Sequence, residues 1–164
     1  MNEAHRRTPR PPDPRRDPEF AALLRDSHRR LVGADPWPSL RASSDAEAAR
    51  WLYEDAPFGL LAHDTAADPV FVYANRTALR CFAYDWDAFV GLPSRLSAEP
   101  AAQEDREALL HQVAVHHYVT GYQGVRISRS GRRFRIRDVT MWDLVDADGT
   151  LRGQAALFRS WSDA

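Results

Sequence analysis

The chain of 164 residues contains no lysine: all 22 basic residues are arginine, set against 23 acids for a formal net charge of −1. That balance excludes a global basic field that would draw the protein to nucleic acid or to an acidic membrane. A single cysteine, Cys81, excludes an internal disulfide. No apolar run approaches the ~18 residues of a membrane span. The N-terminus lacks the apolar core of a secretory signal, so a cytoplasmic location is expected. There is no Gly-rich phosphate loop, no paired-cysteine metal spacing and no G-x-S-x-G elbow, and nothing argues for an enzyme. What is present is 44% hydrophobic residues, enough for one domain with its own core.

Residues 1–16, rich in arginine and proline, read as a disordered arm. Residues 17–44 read as a flanking helix and linker. Asp17 caps, Pro18 starts, and Phe20, Leu23, Leu24, Ser27 and Leu31 share one face before Gly33 ends the helix. Residues 45–161 read as the main domain. It begins with a short helix over 45–54. "FGLLAHD" and "PVFVYAN" then alternate as a β-hairpin, and Asn75 stands at the cap of the next helix. Two further helical stretches follow. Three β runs, 119–129, 132–145 and 151–160, close the chain, with turns at Ser130-Gly131 and Asp148-Gly149. This order predicts an α+β fold: a five-stranded antiparallel sheet with helices on one face, preceded by N-terminal helices.

That order resembles the PAS domains of signalling proteins. "VFVYANRTALRCFAYDWDAFVGLPSR" is similar to the PAS stretch of strand, asparagine, helix and turn, and "SGRRFRIRDVTMWDLVDADGTLRGQAALF" to the last PAS hairpin. More narrowly, "ADPVFVYANRTAL", "LPSRLSAEP", "GVRISRSGRRF" and "GQAALF" resemble the MEKHLA domain, over roughly residues 20–160. The resemblance implies a PAS-like sensory or interaction module and no catalytic residue.

Candidate residues for a ligand pocket are Asn75, Arg95, Ser97, His117 and Trp142. Asn75 reads first as a helix cap. In "PSRLSAE", the Arg95 guanidinium and the hydroxyls of Ser94 and Ser97 could hold a carboxylate or phosphate, or brace the loop with Glu99. No cofactor or metal is the leading expectation. By analogy with haem-binding PAS sensors, a haem would take His116 or His117 at the end of the long helix. By analogy with light-sensing LOV domains, flavin adduct chemistry would need a cysteine where this chain has "PSRLSAEP". Cys81 lies on an earlier helix, so flavin binding without an adduct is the form left open. His28 and His63 read as structural or surface residues.

"GVRISRSGRRFRIRDV" carries six arginines. Folded about a two-residue Ser130-Gly131 turn, it sets Val125 and Ile127 against Ile136 and Phe134 on one side. Arg126 then faces Arg135 on the other side, with Arg133 and Arg137 alongside. This predicts an interaction face of Arg126, Arg133, Arg135 and Arg137, met by carboxylates from Glu19 or Asp26 of the flanking helix or from a second copy. The expected function is a small-molecule sensor or a dimerising or partner-binding module in signalling or transcription. The alternatives are a nucleic-acid-binding accessory using the arginine face and arm, or a small enzyme using the pocket.

Overall fold

Asp17 accepts a hydrogen bond from the Glu19 N–H, and Pro18 takes the first helical position. Together they start α1, Pro18–Val32, which closes on Gly33 in the left-handed conformation. The computed structural model describes residues 13–38 and 44–164. Most of the expected arm therefore lies outside the described residues. Pro14–Arg16 form a 3-10 turn, Arg16 pairs with Glu54, and Arg15 lies over the Trp86 ring.

Ser44 caps α2, Asp45–Glu54. Strands β1, Gly59–His63, and β2, Phe71–Ala74, form the expected hairpin, with the Asp64 carboxylate bonding the Ala66 and Val70 N–H groups in the turn. Three helices follow: α3, Arg76–Phe82; α4, Trp86–Phe89; and α5, Gln103–His116. A meander of β3, Tyr118–Ile127, β4, Arg133–Val145, and β5, Leu151–Asp163, completes a five-stranded antiparallel sheet in the order β2-β1-β5-β4-β3.

One sheet face packs on α3 and α5, where Phe82 meets Phe134 edge-on. The other face carries α1. Phe20 packs on Tyr73 at 5.1 Å, Leu24 is fully buried, and the Ser27 hydroxyl donates to the Val145 carbonyl. α1 is thus part of the core rather than an appendage. The segment after it also packs: Trp37 stacks on Phe58, and Arg159 bonds the Pro36 carbonyl.

The β3–β4 register differs from the expected one. The Ser128 N–H bonds the Arg132 carbonyl, so the loop has three residues, with Gly131 at φ 84°. Arg126 is therefore opposite Phe134, and Val125 is opposite Arg135. A one-residue offset exchanges the faces of a strand. Between the pairs Tyr122–Val139 and Gly124–Ile136, two steps on β3 match three on β4, and Asp138 is the extra residue at φ 50°.

Candidate functional site

Between α5 and the inner sheet face lies a cavity of about 50 Å³. Its apolar wall includes Leu61, Phe71, Leu109, Val139, Met141 and Phe158. Its polar wall holds His63, Ser94, Ser97, Arg106, Tyr122 and Arg126. Arg106 reaches it because it lies on the α5 face that also carries Leu109 and Val113, all three buried. Arg126 reaches it through the three-residue hairpin loop, and is 7% exposed.

The polar groups form one directed chain. Arg106 donates to Ser94 Oγ at 2.6 Å, and Ser94 Oγ lies 3.2 Å from His63 Nδ1. His63 Nε2 lies 2.9 Å from Gln154 Oε1. Gln154 Nε2 donates to Asp143, whose other oxygen lies 3.0 Å from His117 Nδ1. Arginine can only donate and a carboxylate can only accept. The order of donors puts a proton on His63 Nε2, and in the neutral ring Nδ1 then accepts from the Ser94 hydroxyl. Burial, and to a lesser degree the Arg106 charge, push the His63 pKa below its ordinary value, in keeping with a neutral ring.

Of the pocket residues expected from sequence, Ser97 lines the cavity. Asn75 does not: it is fully buried in four hydrogen bonds, accepting from Leu60 N–H and Ala78 N–H and donating to the Leu52 and Phe58 carbonyls. Arg95 is turned to the surface beside Asp68. Trp142 lies on the opposite sheet face under α1, donating to the Leu24 carbonyl at 3.1 Å. His117 is the left-handed C-cap of α5, with its side chain 60% exposed.

The arginine face is also redistributed. Arg126 belongs to the pocket. Arg133 pairs with Glu99, and Arg137 bonds the Ser162 hydroxyl. Arg126 and Arg135 share no carboxylate from α1: Glu19 and Asp26 lie near Arg29, Arg30 and Asp146 instead. Sequence reasoning missed Arg106, Tyr122 and Met141, and gave His63 no role in a pocket. The spacing of Arg106 with Leu109 and Val113 was the available signal, since those three positions share one helix face.

The strand order, the helices on the inner face and the pocket between them define a PAS-like domain. The sequence pattern of the MEKHLA domain matches residues 18–163, and the chain belongs to that family. No curated protein matches the chain. Similar solved structures include an RNA-binding light-oxygen-voltage receptor, at 20% identity and a TM-score of 0.64, over 81% of this chain and 37% of that one. A PAS domain from Colwellia psychrerythraea aligns at 13% identity and 0.59, over 72% of this chain and 94% of that one. The light-state LOV domain of the photoreceptor Aureochrome1 aligns at 17% and 0.53, over 65% and 80%. At these identities the likeness shows the fold. The family and fold together support a sensory signalling domain.

The cofactors of such folds do not fit these residues. A cavity of about 50 Å³ is far below the ~300 Å³ at which sites for ligands of flavin size begin. Cys81 is not among the cavity's lining residues, and burial raises its thiol pKa to about 11. His116 and His117 do not line the cavity where a haem would have to sit. Among the described residues, no group of three or more His, Cys, Asp or Glu could hold a metal, and no helix is long and apolar enough to cross a membrane.

Proposed function

We propose that this MEKHLA domain is a non-enzymatic ligand sensor in which filling of the pocket is passed through β4 to α1. One observation carries the reading. Successive residues of β4 serve opposite sides of the sheet: Met141 lines the pocket, and Trp142 is bonded to α1. A ligand that pushes on Met141 acts on the strand that anchors α1. Protein interiors are close-packed and transmit such displacements. A change in α1 docking would then be the signal offered to a partner or to a second copy of the chain.

The sequence supplies its own probes. Met1 and Met141 are the only methionines. A fragment screen read by the Met141 methyl resonance finds compounds that enter the pocket. The reading expects those compounds also to move the Trp142 indole N–H resonance and to change hydrogen exchange in α1. Compounds that shift Met141 and leave Trp142 and α1 untouched would overturn it, as would a pocket that nothing enters.

A further inference from the structure

Among the described residues, nine arginines are ion-paired with a carboxylate, and each of these is at least one-third exposed. The two arginines of the pocket are the reverse case. Arg106 is 8% exposed and Arg126 is 7% exposed. Neither forms an ion pair among the described residues. Arg106 uses one of its five N–H donors, on Ser94. Arg126 uses two, on the Val125 carbonyl and the Tyr122 hydroxyl. The acids stop short of both. Asp105 takes the Tyr122 hydroxyl at 2.6 Å. Asp68 and Glu107 influence Arg106 only across space.

A guanidinium does not shed its proton, so both charges stay in the pocket. Burial of Arg106, with the Arg126 charge nearby, lowers its pKa, which marks the charged form as disfavoured where it stands. Buried charges are retained when they are paired. These residues line one cavity with unused donors and no carboxylate within ion-pair distance.

We propose that the pocket binds a short monocarboxylate, its carboxylate held by Arg106 and Arg126 and its alkyl end against Leu61, Leu109, Met141 and Phe158. This rests on the sensor reading above and names the ligand class. The apolar wall favours one charge and a hydrocarbon end over a second carboxylate. Size sets the rest. A cavity of about 50 Å³ has room for a few water-sized groups and none for a long chain. That is the range of acetate and propionate. A planar carboxylate also matches the paired donors of guanidinium groups.

The test uses the full chain, with sodium propionate, sodium acetate, sodium hexanoate, propionamide and sodium chloride as probes at constant ionic strength. Propionate should shift the Met141 methyl resonance saturably and raise the melting temperature. Propionamide, of the same shape without charge, should bind at least tenfold more weakly, and hexanoate should bind more weakly than propionate. Arg126→Gln should weaken propionate binding at least tenfold. Arg106→Gln should do the same, and if that variant fails to fold, the amide comparison and Arg126→Gln still decide. Equal binding of acid and amide, a response to chloride equal to that of propionate, or undiminished binding in Arg126→Gln would each overturn the proposal. If neutral fragments move Met141 and Trp142 together while carboxylates do nothing, the ligand class is wrong and the sensor reading stands.

Discussion

The Trp142 indole N–H donates to the Leu24 carbonyl at 3.1 Å, joining residues 118 positions apart and fixing α1 across the outer sheet face. Three turns of α1 contribute to that dock through Phe20, Leu24 and Ser27.

Leu24→Ala should cost about 2–5 kcal/mol, because it removes a fully buried side chain and leaves a cavity under the helix. Ser27→Ala should cost about 1–3 kcal/mol, because its hydroxyl both donates to the Val145 carbonyl and accepts from the Val145 N–H. Urea denaturation measures both. Losses within 0.5 kcal/mol would mean that α1 is only loosely attached.

Asn75→Ala should be among the most damaging single changes, at roughly 3–5 kcal/mol. It removes the cap of α3, strands the buried Leu60 N–H, and leaves two carbonyls without their donor. Asn75→Ser should recover part of the loss, since a hydroxyl still caps. A serine variant no more stable than the alanine one would show that the cap is not what matters.

His63 gives stability a pH dependence. Its folded pKa is depressed by burial, so below about 6.5 the unfolded chain takes up a proton that folded His63 does not. Stability should therefore fall as pH drops from about 6.5, until the depressed folded pKa is reached. His28, also depressed by burial, adds a slope of the same sign. His63→Gln should flatten the curve in part, and NMR titration should find the His63 pKa below its ordinary value of about 6.5. A His63 pKa at or above 6.5 would contradict the neutral ring that burial favours.

Cys81 should resist thiol reagents in the folded protein. It is 4% exposed, and its pKa is raised to about 11, so little thiolate exists at pH 8. Disulfide-exchange reagents should label it within seconds in urea and only at the rate of unfolding in buffer. Fast labelling of native protein would place the thiol at the surface.

Much of the fold was legible because its signals are local. Asp17-Pro18 and Gly33 bracket α1, Asn75 caps α3, and alternation marks the β1–β2 hairpin. The pocket was less legible because it depends on register. Ser130-Gly131 reads equally well as a whole two-residue turn or as part of a three-residue loop, and apolar Val125 and Ile127 argued for the first. The loop follows the second, and the difference moves Arg126 from the surface to the interior. Trp142 was misplaced for a related reason. Its side of β4 depends on Asp138, whose left-handed conformation no propensity scale assigns to an aspartate in mid-strand.

Asp138 also makes β4 two spliced half-strands of opposite parity. Before it, the even-numbered Phe134 and Ile136 face inward. After it, the odd-numbered Val139 and Met141 do. Deleting that one residue would preserve the composition of the strand and invert its second half. Met141 would turn to the α1 side, and Trp142 would enter a cavity of about 50 Å³ that cannot contain an indole. The inner surface of the pocket is thus keyed to this position together with the compensating shift on β3 between Val119 and Tyr122, and a length change there is a change of architecture, where a substitution at the same exposed position would be a change of surface.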